Sequence, residues 1–98
     1  KDLFVRIAVA QSSKTDEETL NTLSRDANPH IRAGVASNRI APIHILQRLS
    51  TDRDWNVLVS VARNPRTDFE TLRKLAKSDD FSIRNSAINN LRNSGQEP

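Results

Sequence analysis

The chain has no cysteine. That absence excludes disulfides, thiolate metal sites and cysteine-ligated clusters, and it suits a reducing compartment. Aromatics are scarce too: only Phe4, Trp55, Phe69 and Phe81 occur. Two glycines leave no room for a Gly-rich phosphate loop. No apolar run approaches the roughly 20 residues needed to cross a bilayer, and no signal-peptide apolar region is visible. The expectation is a cytoplasmic protein with no membrane partner. Because the chain opens on Lys1 rather than Met, a fragment or a processed product is also expected.

What remains is aliphatic and charged. A length of 98 residues and a net charge of +3 fit one small domain spanning residues 1–98. A globule of this size buries only about 60–65% of its unfolded-chain surface, so regular contacts between elements must supply much of its stability.

The strongest signal is self-similarity. VRIAVAQS from Val5, IRAGVASN from Ile31, VLVSVARN from Val57 and IRNSAINN from Ile83 align without gaps, each 26 residues after the last. The columns make physical sense. Asp2, Asn28, Asp54 and Asp80 are good N-cap residues, whose side-chain oxygen accepts from the first free N–H groups of a helix. Pro29 follows at the first helical position, where its missing N–H costs nothing. A helix A is therefore expected there in each repeat, about nine residues long by this reading and partly 3₁₀. Val5/Ile31/Val57/Ile83 and Val9/Val35/Val61/Ala87 form its expected buried stripe. Between them lies a small-residue column, Ala8/Gly34/Ser60/Ser86, suited to close helix approach. Asn38, Asn64 and Asn90, in the column of Ser12, are expected to end helix A in the left-handed conformation.

Helix B follows. Thr15, Ala41 and Thr67 stand at its expected N-cap column, with Pro42 at a first position and Thr67 and Glu70 reading as a capping box. Leu20/Leu46/Leu72 and Leu23/Leu49/Leu75 form its buried face, which Ile43 and Phe69 extend by one turn. Repeats are thus expected at residues 2–27, 28–53 and 54–79. Residues 80–94 are either a terminal cap helix or a repeat cut short, and 95–98 are a polar tail. One such helix pair cannot bury its leucines alone. The expected fold is all-α: a short right-handed α-solenoid of about three and a half helix-pair repeats held by contacts between neighbours.

The pattern V/I-R-x-x-V-A-x-N…T-x-x-x-x-L-x-x-L resembles the leucine-rich repeat variant (LRV) family. The matching residues are Ile31-Arg32, Val35-Ala36, Asn38, Leu46 and Leu49, then Val57, Val61-Ala62, Asn64-Pro65, Thr67, Leu72 and Leu75. The likeness covers about three repeats, although LRV repeats are typically a little shorter. It implies alternating α and 3₁₀ or short α-helices wound into a right-handed superhelix. Armadillo- and HEAT-like repeats are more distant relatives in architecture. Some LRV proteins carry an iron–sulfur cluster on cysteines outside the repeats; without cysteine, that feature does not carry over, and no cofactor is expected. The resemblance supplies a scaffold and no defined reaction.

Catalytic groups are thin. His30 and His44 are the only histidines, on different helices and without metal-ligand spacing. Asp16-Glu17-Glu18 and Asp79-Asp80 fall at helix N-termini, where negative charge complements the macrodipole. The expectation is a non-enzyme with no metal site.

Charge layout is more informative. The loops from helix A to helix B hold Lys14, Arg39, Arg63, Arg66 and Arg92 and no acid. The return turns hold Asp26, Asp52, Asp54, Asp79 and Asp80, partly offset by Arg25, Arg53 and Lys77. One edge of a stack would be basic, either to offset helix dipoles or to meet phosphates or an acidic protein. Arg6, Arg32 and Arg84 form a further column, interrupted by Leu58, expected either to bridge to an aspartate near the preceding turn or to pack their stems along the neighbouring helix. Trp55 and Phe81 are expected at the seam between repeats. The variable columns of helix B, His44, Gln47, Arg48, Glu70, Arg73, Lys74 and Lys77, are mixed in charge and suit a protein or peptide partner. Weak, sequence-nonspecific nucleic-acid binding along the basic edge is the alternative.

Overall fold

The computed structural model describes residues 2–98. Seven α-helices follow one another: α1 Leu3–Gln11, α2 Glu17–Leu23, α3 Pro29–Ala36, α4 Ile43–Leu49, α5 Trp55–Arg63, α6 Phe69–Leu75 and α7 Phe81–Asn93. No strand occurs among the described residues. The odd-numbered helices stack directly, α1 on α3, α3 on α5 and α5 on α7, while the even ones lean on their flanks. The result is an all-α, repeat-like assembly measuring 41 × 23 × 17 Å.

The N-cap column of helix A stands as read. Asp2, Asn28, Asp54 and Asp80 each accept from a backbone N–H of the first turn, at 2.8 to 3.2 Å. Helix B is capped one residue later than the sequence implied. Asp16 accepts from Thr19 N–H at 2.8 Å, and Asp68 accepts from both the N–H and the hydroxyl of Thr71. Pro42 takes that position in the second repeat without a side-chain cap. The threonines before these caps do something else. Thr67 Oγ1 donates back to Val61 O at 2.7 Å, and Thr15 Oγ1 to Val9 O at 2.5 Å, which pins the short A-to-B loop. The expected Thr67–Glu70 capping box is therefore absent: Asp68 is the nearer acceptor for the free N–H groups. Nor is any described helix 3₁₀; the α1, α3 and α5 stretches are α-helical throughout.

Leu20, Leu46, Leu49, Leu72 and Leu75 are buried as read, with Ile31, Val35, Val57, Val61, Ile83, Ala87 and Leu91. Leu23 is only partly buried. Val5 and Val9 depart from their columns: they are 59% and 36% exposed, where Ile31 and Val35 are fully buried. The reason is geometric. This stripe is covered by the layer before it, and α1 has none on it among the described residues. Ile43 and Phe69, expected to extend the helix-B face, are 43% and 41% exposed, whereas Ile45 two residues on is fully buried. At Gly34 the small column has a packing reason: a Cβ there would stand 3.1 Å from Ala10 Cβ, tighter than ordinary contact, so α1 or α3 would have to give by a few tenths of an ångström.

Asn38, Asn64 and Asn90 hold the layers together, and in a way the helix-end reading missed. No non-glycine residue has a positive φ, and Asn64 sits at φ −71°. Instead each side-chain amide reaches the layer before. Asn38 Nδ2 donates to Ala10 O and Ser12 O, Asn64 Nδ2 to Ala36 O and Asn38 O, and Asn90 Nδ2 to Ala62 O and Asn64 O, all within 2.8–3.0 Å. Asn38 Oδ1 and Asn64 Oδ1 accept from the N–H two residues on. Helix C-termini leave unpaired carbonyls that cost free energy when buried. One amide hydrogen of each asparagine satisfies such a carbonyl, at Ala10, Ala36 or Ala62, and the other adds a second donor to Ser12 O, Asn38 O or Asn64 O, which already accepts from the N–H three residues on.

Candidate functional site

The arginine column serves structure first. Arg32 Nε and Nη2 meet the two carboxylate oxygens of Asp52 at 2.8 and 3.2 Å, while Nη1 caps the carbonyls of Asp26 and Ala27. The acid thus comes from the following turn, and only the carbonyls come from the preceding turn where an acid was expected. Arg6 repeats this loosely with Asp26 at 3.7 Å, leaving its Nε buried and unpaired. Arg84 keeps the carbonyl contacts, to Ser78 and Asp79. Where Leu58 replaces the arginine, the acid 20 positions on is replaced too, by Ser78. Asp26, Asp52 and Ser78 keep a second duty in common: each side chain accepts from the N–H of the next helix-A cap. Burial pushes the Asp52 carboxyl upward, but the Arg32 hydrogen bonds and the N–H groups of Asp54 and Arg53 outweigh it and hold it below its ordinary value.

The aromatic seam is half realised. Trp55 Nε1 donates to Asp80 Oδ2 at 3.0 Å, tying α5 to the cap of α7, yet the indole stays about half exposed. That bond and the N–H of Ile83 hold the Asp80 carboxyl low, the latter being the larger cause. Phe81 is exposed, with the Arg84 guanidinium 5.7 Å over its ring.

Lys14, Arg39, Arg63, Arg66 and Arg92 are all exposed, and among the described residues their side chains make no hydrogen bond or ion pair. Arg39 and Arg63 come together. With Pro65, Ser86, Asn89, Asn90, Asn93 and Ser94 they line a cleft of about 480 Å³ that contains no acid. Lys14, Arg66 and Arg92 lie outside it.

The helix-B residues divide. His44 faces Glu17 of the preceding layer at 3.7 Å, both exposed. Arg48 crosses from α4 to α2, where Nη2 donates to Asn21 Oδ1 at 2.8 Å and to Ser24 Oγ. Burial, with the charge of Arg25 nearby, pulls the Arg48 pKa below its usual value. Arg73 holds the tail, through Gln96 Oε1 and Glu97 O. Gln47, Glu70 and Lys74 instead line a second cleft, of about 470 Å³, with Ser50, Thr51, Thr71 and Leu75. Lys77 is exposed and belongs to neither cleft.

A third cleft, of about 370 Å³, lies on the helix-A face between Gln11, His30, Ser37, Asn56 and Ser60, floored by Ile7, Ala33 and Gly34. His30 and Ser60 were named from the sequence but not as parts of a cleft, and Gln11, Ser37 and Asn56, like Asn89 and Asn93 of the first cleft, were not singled out. The available signal was the variable helix-A columns Phe4/His30/Asn56/Ser82 and Gln11/Ser37/Arg63/Asn89. Among the described residues no three His, Asp or Glu side chains are placed to hold a metal ion, and no helix is long and apolar enough to cross a membrane.

The chain matches no family model, and comparison with curated proteins and with solved structures gives no match.

Proposed function

We propose that this domain is a non-enzymatic scaffold that binds a protein or peptide, wound as a short right-handed α-solenoid in the manner of LRV-like repeats. The observation that supports this is a division among its polar side chains. Those at the seams are consumed by the stack: Asn38, Asn64 and Asn90 by carbonyls, Arg32 by Asp52. Many of the charged and amide side chains lining the clefts are free, although Asn90 and the hydroxyls of Ser37, Ser50, Thr51 and Thr71 are bonded within the chain. Gln11, His30 and Asn56, then Gln47, Glu70 and Lys74, then Arg39, Arg63, Asn89 and Asn93 take no side-chain partner. Exposed, ordered and unpaired donors and acceptors on rigid helices suit recognition of an extended segment.

Panning a random peptide library against the domain tests this. Enriched peptides are expected to lose binding to Glu70→Ala/Lys74→Ala or Arg39→Ala/Asn89→Ala variants whose melting temperatures are unchanged. Failure to enrich any sequence would count against the scaffold reading.

The acid-free cleft holding Arg39 and Arg63 favours a second reading, weak nucleic-acid binding along this edge. Anisotropy of labelled duplex DNA and single-stranded RNA at about 50 and 200 mM salt tests it, since phosphate-driven binding falls steeply over that range. Micromolar binding at low salt that collapses at high salt and in an Arg39→Glu/Arg63→Glu/Arg66→Glu variant would support it. No binding at low salt would remove it.

A further inference from the structure

The repeat allows one groove to be compared with its equivalent. Between α2 and α4 the groove is filled from within, by the Arg48 guanidinium on Asn21 Oδ1 and Ser24 Oγ. Moving 26 residues on gives the groove between α4 and α6, where Gln47 stands for Asn21, Ser50 for Ser24 and Lys74 for Arg48. The acceptor types are retained, an amide oxygen and a hydroxyl. The donor is not. Lys74 is exposed and makes no hydrogen bond or ion pair, and an open cleft of about 470 Å³ lies where the guanidinium would be.

The chemistry of the two cations accounts for the difference. A guanidinium is a planar fork that meets two acceptors at once and gives up its water readily. An ammonium is a compact, strongly hydrated charge on a flexible stem. Lys74 therefore remains in solvent, and Gln47 Oε1 has no partner. The carboxylate also changes place: Glu17, which faces His44 across the filled groove, becomes Ile43 in the open one. Glu70, exposed and unpaired on the cleft wall, occupies the column held by His44 in the filled groove.

We propose that the α4–α6 cleft is a subsite for an arginine side chain of the partner peptide. Its guanidinium takes the place that Arg48 takes one layer earlier, donating to Gln47 Oε1 and Ser50 Oγ and pairing with Glu70. Ser50 Oγ already donates to Gln47 O, so its lone pairs are free to accept. Lys74 stays in solvent on entry. The assignment rests on the scaffold reading and names the chemistry of its ligand.

The test is an amide-resolved NMR titration with N-acetylarginine amide, with N-acetyllysine amide as control. Saturable shifts are expected at the Gln47 side-chain amide and around Glu70 and Thr71, stronger for arginine than for lysine. Glu70→Gln should weaken them. Lys74→Arg should abolish them and raise the melting temperature, because the new side chain fills the groove as Arg48 fills its own. Absence of saturable shifts, equal response to lysine, or undiminished binding in Lys74→Arg would overturn the subsite. Library peptides still captured after that result would leave the scaffold reading standing and place the partner elsewhere. A library that enriches nothing would count against the scaffold reading itself.

Discussion

The side-chain amide of Asn64 donates to the backbone carbonyl of Asn38 at 2.9 Å, and Asn38 passes the same contact one layer further, to Ser12. Asn64 is buried, and it satisfies Ala36 O as well. Replacing it with alanine strands Ala36 O and the N–H of Arg66 at once, while Asn38 O keeps the N–H of Ala41. An unsatisfied buried polar group costs about 1–3 kcal/mol, so Asn64→Ala should lose at least about 2 kcal/mol in a urea melt followed by Trp55 fluorescence. Asn64→Asp should be worse, because it turns a carboxylate oxygen toward two carbonyls. Asn90→Ala, in the same column but partly exposed on α7, should cost less. Equal costs for Asn64 and Asn90 would mean that the ladder is not what holds the middle layers.

Arg32 and Asp52 form the tightest ion pair among the described residues, with side chains only 20% and 11% exposed. Hydrogen bonds to charged groups contribute about 1.5–3 kcal/mol. A double-mutant cycle on Arg32→Ala and Asp52→Ala should return a coupling in the lower part of that range, while the same cycle on Arg6 and Asp26, whose charges meet only at 3.7 Å without a hydrogen bond, should return under about 1 kcal/mol. The Leu58/Ser78 exchange adds a sharper check. Ser78→Asp alone should gain little. Combined with Leu58→Arg it should recover most of what Leu58→Arg loses. Additive effects of the two changes would show that this column does not couple across the layer.

Acid sensitivity follows from the same pair. The folded state holds the Asp52 carboxyl below its ordinary value of 3.8, so the unfolded chain takes up the proton first as pH falls. The stabilisation is therefore complete above the unfolded pKa and is lost as pH falls through the folded one. Melting temperature measured from pH 7 down to about pH 2 should fall more steeply in the native chain than in Asp52→Asn, with the two curves converging below about pH 4, the ordinary aspartate range. A constant difference at all pH values would detach Asp52 from the acid response.

Much of this architecture was legible because the repeat tests itself four times. A single Asp at position 54 is weak evidence for a cap, whereas Asp2, Asn28, Asp54 and Asp80 in one column leave little else for it to do. The same regularity misled where local and long-range bonds compete for one residue type. Asparagine at a helix end is compatible with a left-handed cap, and only the position of the preceding layer reveals that Asn64 spends its amide on Ala36 and Asn38. Threonine before an aspartate reads as a cap until the backbone shows Asp68 in reach of Thr71 and Thr67 facing Val61. The clefts were the least legible part. The third is built from column pairs 26 apart, Ile7/Ala33, Gln11/Ser37, His30/Asn56 and Gly34/Ser60, and so lay within reach of the period, whereas the first also joins Arg39 to Asn93, which share no column and meet only through the offset between layers.

Val9 and Val61 share a column and differ only in what lies upstream of them. Val61 is fully buried beneath the preceding layer, and Val9 is 36% exposed. Removing the two outer methyl groups of a buried valine forfeits roughly 0.8 kcal/mol per carbon, plus a term for the cavity left behind. Val61→Ala should therefore cost about 2 kcal/mol, approaching the roughly 2–5 kcal/mol expected for Leu72→Ala in the same core. Val9→Ala should cost under about 1 kcal/mol, since surface changes away from the core are small. Native-state hydrogen exchange should show the same gradient, with the amides of α1 opening at lower free energy than those of α3 and α5. If Val9→Ala were as costly as Val61→Ala, burial by the preceding layer would not be what stabilises this column.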